Sequence, residues 1–111
     1  MLQACGDCVS VGVNGIAVTV IDAETQKAPE SVPSLRVSDG VYVESQAKPP
    51  FQTELPMLYA AAEREGVYAV LVKAEGYRDF AVEGVRVSRE SGSCHALKTV
   101  KIIALLERIQ R

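Results

Sequence analysis

Residues 66–77, GVYAVLVKAEGY, constrain the fold more than any other stretch of the chain. Their apolar side chains fall on alternate positions, at Tyr68, Val70, Val72 and Ala74. A period of two is typical of a β-strand that turns one face toward a core. Glu75-Gly76 then predicts a turn, and the alternating valines of residues 80–88 predict a second strand. We therefore expect the domain to be built around this pair of strands, with Tyr68 in the core.

Four other segments show a strand pattern, and they are residues 16–22, 35–38, 41–44 and 97–106. Asp39-Gly40 separates the middle two segments. This dipeptide predicts a tight hairpin with a type I′ turn, which needs positive φ at both central residues. Residues 47–56 contain three prolines, and because proline cannot donate a backbone hydrogen bond, this segment is expected to be a loop.

Residues 57–65, MLYAAAERE, are ambiguous. Their side chains favour a helix by propensity, but nine residues without an N-cap make a marginal helix. Their position directly before Gly66 favours a strand instead, one that turns at residues 63–66 and forms a hairpin with the strand that follows. The chain then has seven strands at the spacing typical of an all-β sandwich.

Length and charge limit the classes of function. The chain has 111 residues, enough for one domain with a core of its own, and a formal net charge of −2. No Lys/Arg cluster is present, so nucleic acid is not expected as a partner, because binding its backbone requires a concentrated basic face. The predicted organisation is an amino-terminal segment, residues 1–15, followed by a β-sandwich domain, residues 16–111.

The amino-terminal segment contains Leu2-Gln3-Ala4-Cys5, which resembles the end of a bacterial lipoprotein signal. An aliphatic residue stands three positions before the cysteine and a small residue stands directly before it, although Gln3 fits poorly between them. The pattern predicts lipid attachment at Cys5, a membrane association through that anchor alone, and a cell-envelope location. The alternative is that Met1 is the true start, Cys5 is an ordinary thiol and the protein is cytoplasmic.

The spacing Gly66-x-Tyr68-x-Val70-x-Val72-x-Ala74-x-Gly76-Tyr77 resembles that of the carboxypeptidase regulatory-like domain. The resemblance covers roughly residues 16–106. It implies a prealbumin-like, seven-stranded Greek-key β-sandwich. In that family the first turn usually carries Thr-Gly, and this chain has Thr25-Gln26 there. The matching positions are mostly core and turn residues, so they specify a fold far better than an activity.

The resemblance implies an accessory module that positions partners and carries out no catalysis. Related sandwich enzymes need several histidines, and this chain has one, His95. We therefore expect a non-catalytic, cofactor-free module of a cell-envelope lipoprotein that mediates protein–protein interaction. Tyr77, which follows a turn glycine, is expected to be structural, with its hydroxyl bonded to nearby backbone.

The expected contact surface lies on the outward positions of the central strand, Val67, Ala69 and Leu71, which are apolar for a face toward solvent. A neighbouring element covers them, or they bind another subunit or protein, and we favour the second interpretation. Carbohydrate binding is the alternative, although the chain has six Phe and Tyr residues in all and no Trp.

The cysteines allow two further predictions. Cys5-Gly-Asp-Cys8 has the spacing of half a zinc site, which Cys94 and His95 could complete, although those two residues have no spacer between them. The favoured prediction is a disulfide between Cys8 and Cys94, with Cys5 left for the lipid. Cys5–Cys94, Cys5–Cys8 and three free thiols remain alternatives.

Overall fold

A computed structural model describes residues 13–47, 55–90 and 96–109, which contain seven strands. In chain order they are β1 (Asn14–Asp22), β2 (Ser34–Asp39), β3 (Tyr42–Ala47), β4 (Met57–Ala62), β5 (Gly66–Lys73), β6 (Phe80–Val87) and β7 (Val100–Leu106). No helix occurs in these ranges. The all-β prediction is confirmed, and β1 begins two residues earlier than the alternation at Ile16 indicated.

The strands form two sheets. One has three strands in the order β4-β1-β7, and the other has four in the order β3-β2-β5-β6. Neighbouring strands run antiparallel except β1 and β7, which are parallel over Ile16↔Val100 to Asp22↔Leu106. The architecture is therefore β-sandwich-like, with β1 central in the smaller sheet and β2 and β5 central in the larger.

The core lies between the sheets and consists of the inward-facing residues of both. Its completely buried members include Ile16, Val18, Val20, Leu35, Val37, Tyr68, Val72 and Leu106. The prediction that Tyr68 lies in the core is confirmed. Its hydroxyl remains satisfied, since it donates to the Arg64 carbonyl at 2.9 Å and accepts from Arg64 Nη1 at 2.9 Å.

The β2–β3 hairpin forms where Asp39-Gly40 predicted it, but the turn is displaced by one residue. Asp39 pairs with Tyr42, so the two central residues are Gly40 and Val41. Gly40 has φ +64°, whereas Val41 is not among the described residues with positive φ. Glycine at the first central position alone is typical of a type II′ turn, so the type I′ expectation is wrong.

The β5–β6 hairpin confirms the predicted central pair. Between the pairs Tyr68↔Val85 and Val70↔Val82, two residues of β6 oppose the single residue Ala69. The second of the two, Gly84, has φ +73°, which glycine adopts without a steric penalty. This β-bulge bends β6 where it would otherwise continue the alternation of its valines.

Residues 57–62 form a strand, as predicted, but the predicted hairpin with β5 is wrong. β4 pairs with β1 in the smaller sheet, whereas β5 lies in the larger one. The chain turns sharply at the end of β4, with positive φ at Ala61 (+58°) within the strand and at Glu63 (+54°) just after it. Closeness along the chain indicated a hairpin here, but the crossing conformation places consecutive strands in opposite sheets.

Candidate functional sites

A buried carboxylate lies at the end of β1. Asp22 has no exposed surface, yet both of its carboxylate oxygens are fully used. Oδ1 accepts from the backbone N–H groups of Glu24 at 2.7 Å and Thr25 at 3.1 Å. Oδ2 accepts from the Tyr77 hydroxyl at 2.7 Å and from Arg108 Nε and Nη2 at 2.9 and 2.8 Å. These five donors join the end of β1, the β5–β6 turn and the segment after β7.

The surroundings of Asp22 favour its ionised form. Burial by itself raises the pKa of Asp22, but the hydrogen bonds from Tyr77, the two backbone amides and Arg108 outweigh it and lower the pKa from 3.8 to about 2. The same contacts raise the pKa of Arg108, through Asp22 first and then Glu30. A general base needs a pKa near the working pH and a free oxygen. Asp22 has neither, and its chemistry fits an anchor.

Tyr77 has the structural role that was predicted, with a partner that was not. It is 6% exposed, and its hydroxyl accepts from the backbone N–H of Glu30 at 3.0 Å while donating to Asp22. The backbone bond was expected from the turn position of Tyr77. The carboxylate was missed, because nothing local in the sequence connects residues that lie 55 positions apart.

A second carboxylate bridges the two sheets at their open edges. Glu44 of β3 accepts from the Tyr42 hydroxyl at 2.7 Å and from the backbone N–H of Ala61 in β4 at 2.9 Å. Burial raises the pKa of Glu44, but these bonds and one from Gln46 lower it below its usual value. The Ala61 N–H points toward β3, and Glu44 satisfies it there.

Val67, Ala69 and Leu71 lie on the outer face of the four-stranded sheet. Val67 is 43% exposed, and the other two are half-buried. No described strand covers this face, because all seven belong to the two sheets. Polar neighbours border the three residues, with Arg86 paired to Val67 and Arg36 paired to Leu71. The interaction surface predicted from the sequence is therefore one continuous patch, which we call the β5 patch.

An open groove of about 320 Å³ lies across the β5 patch. Its walls come from three strands, with Arg36 and Ser38 on β2, Ala69 and Leu71 on β5, and Ala81 and Glu83 on β6. The floor is apolar, and the rim carries both a cation and an anion. An apolar centre with a charged rim is the usual composition of a protein-binding surface.

The outer face of the three-stranded sheet is also apolar, and sequence reasoning missed it. Ile103 is 62% exposed and Leu105 is 48% exposed on β7, and Tyr59 is 41% exposed on β4. Register places them on one face, since Thr19 pairs with both Met57 and Ile103, and Ala17 pairs with Tyr59. The run KIIALL did contain the signal, because it is apolar at outward as well as inward positions.

The remaining predicted site residues lie outside the described ranges. They are Cys5 for lipid attachment, Cys8 and Cys94 for the disulfide, and the zinc set Cys5, Cys8, Cys94 and His95. Among residues 13–47, 55–90 and 96–109, no three His, Cys, Asp or Glu side chains are grouped as a metal ion would require. The same ranges contain no helix that is both long and apolar enough to cross a membrane.

Comparison with protein-family profiles, with curated proteins and with solved structures gives no match to this chain. The functional assignment therefore depends on the geometry of the domain itself.

Proposed function

We propose that this domain is a non-catalytic protein-docking module and that the β5 patch is its docking surface. The observation that carries the proposal is the groove over Ala69 and Leu71, an apolar floor on a rigid central strand with Arg36 and Glu83 at its rim. Surfaces of this kind exclude water at the centre and select partners by charge at the rim.

The saturated carboxylates support a role without catalysis. Each oxygen of Asp22 is occupied by donors from the domain itself, and Glu44 is held by Tyr42, Gln46 and the Ala61 amide. Both groups stabilise the scaffold, and neither oxygen of Asp22 has a lone pair left for a substrate. A rigid sheet with satisfied internal polar groups is a suitable platform for docking.

The finer assignment of the fold belongs to the same proposal. β1 and β2 lie in different sheets, β2 and β3 form a hairpin, and β4 returns to lie beside β1. A fourth strand that returns beside the first is the defining feature of a Greek key. This connectivity supports the prealbumin-like assignment that the carboxypeptidase regulatory-like resemblance implies.

The proposed location is the cell envelope. The domain would be attached there through a lipid on Cys5 and cross-linked by a Cys8–Cys94 disulfide. Both remain predictions from the sequence. Mass spectrometry of protein isolated from its native host tests them together, since a lipid thioether on Cys5 and a cross-linked peptide pair containing Cys8 and Cys94 are expected. Alkylation of all three thiols in that material would contradict both.

The docking role is tested by Val67→Lys combined with Leu71→Lys. Two ammonium groups on the apolar floor should remove docking, because each would have to be desolvated against apolar surface in any complex. The control is Ile103→Lys, which places one such charge on the outer face of the other sheet.

The measurement is quantitative cross-linking in native-host cells, followed by mass spectrometry. We expect a specific protein to be captured by the wild type and by Ile103→Lys, and lost in the double variant, while circular dichroism shows that each variant remains folded. Unchanged capture by the folded double variant would show that the β5 patch is not the docking surface. A clear hit on a glycan array that depends on Tyr59, the exposed tyrosine of β4, would favour the carbohydrate-binding alternative.

A further inference from the structure

β4 is an edge strand. It occupies the outer position of the three-stranded sheet, so one side pairs with β1 and the other side faces no described strand of that sheet. Unpaired backbone groups on a sheet edge are a template for pairing with another strand. What the edge of β4 accepts therefore depends on which of its N–H and C=O groups face outward, and on the side chains that accompany them.

The outward groups follow from the pairing with β1. Val20 N–H donates to the Pro56 carbonyl at 3.0 Å, which continues the β1–β4 register. Hydrogen-bonded pairs alternate along an antiparallel ladder, so Leu58 and Ala60 direct their backbone groups toward β1. Met57, Tyr59 and Ala61 direct theirs away from it.

The backbone N–H and C=O groups of Ala61 already have partners at this edge, whereas the outward groups of Met57 and Tyr59 do not. The Ala61 N–H donates to Glu44 Oε1 at 2.9 Å, and its carbonyl accepts from the Arg64 N–H at 3.2 Å. Within the described residues, the outward N–H and C=O groups of Met57 and Tyr59 have no protein partner. Two donors and two acceptors are therefore available on one short segment.

The side chains of β4 do not protect this edge. Strands at sheet edges are usually blocked by charged residues or internal prolines. Among the seven described strands, β4 alone, with sequence MLYAAA, contains no Asp, Glu, Lys or Arg. Met57 and Tyr59 lie side by side on its outer face, with the Tyr59 hydroxyl 3.7 Å from the Met57 sulfur.

We propose that two copies of this chain associate by antiparallel pairing of β4 with β4 around a two-fold axis at Leu58. In this register Met57 of each copy lies opposite Tyr59 of the other. Both outward groups of each residue then find a partner, so the four free groups of one copy and the four of the other form four hydrogen bonds between the copies. The same register brings each Met57 thioether against a Tyr59 ring, a favourable contact between sulfur and an aromatic side chain.

The free backbone groups of two β4 strands match one another only in this register. Moving the axis to Tyr59 would place Met57 opposite Ala61, whose N–H is already bound by Glu44. That arrangement would leave groups of Met57 without partners. The two-fold axis at Leu58 is the register that uses the free groups of both residues and requires no existing bond to break.

Pairing of β4 joins the two smaller sheets into one of six strands, in the order β7-β1-β4-β4-β1-β7. The apolar outer faces become continuous across the axis, while the β5 patches remain uncovered on the larger sheets. The dimer would therefore present two docking surfaces, but its formation does not depend on the docking proposal. An interface of one short strand per copy is small, so we expect a dissociation constant of roughly micromolar order.

Sedimentation velocity of the full chain across a concentration series tests the pairing, with a reducing agent present so that cysteine cross-links do not contribute. The wild type should change from monomer to dimer as concentration rises. Met57→Lys and Tyr59→Lys should each weaken the dimer at least tenfold, because they place ammonium groups where the partner strand must pack. Ile103→Lys, on the same face but two strands from the edge, is the matched control and should leave the dimer intact.

Hydrogen exchange identifies the groups involved. The amides of Met57 and Tyr59 should become protected as concentration rises, whereas those of Val43 and Ser45, on the outer edge of β3, should not. A monomer at every concentration, or a dimer unaffected by both β4 variants, would overturn the proposal. Loss of the dimer in Ile103→Lys, with retention in both β4 variants, would also overturn it and would indicate face-to-face association.

Discussion

Replacing Tyr77 with phenylalanine tests whether the buried Asp22 cluster holds the end of the sandwich together. The change removes one oxygen atom and leaves the ring, so packing is nearly unchanged. It eliminates the 2.7 Å bond to Asp22 Oδ2 and the 3.0 Å bond from the Glu30 N–H. Arg108 still neutralises the carboxylate, while the Glu30 N–H loses its acceptor in a partly buried bond.

The magnitude follows from the charge and burial of Asp22. A hydrogen bond to a charged group contributes about 1.5–3 kcal/mol, and an ordinary neutral hydrogen bond contributes about 0.5–1.5 kcal/mol. Because Asp22 has no exposed surface, water cannot replace the missing donor without opening the cluster. We expect the free energy of unfolding to fall by about 2–3 kcal/mol, which for a domain of this size lowers the melting temperature by roughly 8–12 °C.

Urea unfolding followed by circular dichroism provides the measurement, and Tyr59→Phe provides the control. Tyr59 is 41% exposed, and among the described residues its hydroxyl contacts only the Met57 sulfur, so its loss should cost less than about 0.5 kcal/mol. Equal effects of the two substitutions would refute the claim that Asp22 depends on Tyr77. A second readout is the pKa of Asp22, which should rise in Tyr77→Phe because one of the bonds that lower it has been removed.

Two further predictions concern the hydrogen bonds of Asp22 and the backbone strain at Ala61 near the end of β4. The pKa of Asp22 is lower in the folded domain than its ordinary value of 3.8, so its contribution to stability should be complete above about pH 4 and lost as pH falls toward 2. Acid titration of the unfolding free energy should show a loss of about 1–2 kcal/mol that is absent in Asp22→Asn, and identical profiles would contradict this. Ala61→Gly should be neutral or stabilising by up to about 1 kcal/mol, because alanine at φ +58° carries strain that glycine does not. Ala60→Gly, at an ordinary strand angle beside it, should destabilise by about 1 kcal/mol in the same urea assay, and equal losses would show that Ala61 is not strained.

Alternation along the chain was sufficient to predict most of the strands and their inward faces, because a period of two is a local property. The exceptions are β4, which was assigned from its position before Gly66, and β7, which begins at Val100 and not at the predicted Leu97. It identified Tyr68 as a core residue and Val67, Ala69 and Leu71 as outward positions, and the structure agrees on all four. The turns at Gly40 and Gly76 were also predictable from the sequence, and both glycines have positive φ.

Contacts between distant segments were not predictable in this way. Nothing near Asp22 in the sequence indicates Arg108, and nothing near Glu44 indicates the Ala61 amide. The same limitation explains the wrong hairpin, since a short connection between β4 and β5 fits a hairpin and a crossing between sheets equally well. Which of the two forms depends on β1, whose residues pair with β4 residues that lie 38 to 48 positions further along the chain.

The long separation between β1 and its partners has a consequence for how the protein is made. β1 leaves the ribosome before every other described strand, yet its parallel partner β7 comes last, and the Asp22–Arg108 contact spans 86 residues. Contacts between such distant segments form slowly, because the chain loses entropy before it gains their energy. During synthesis, the apolar side chains of β1 therefore remain without a complete sheet around them until β7 has been made. In that interval the exposed apolar surface available to a chaperone is largest, and aggregation competes most strongly with folding.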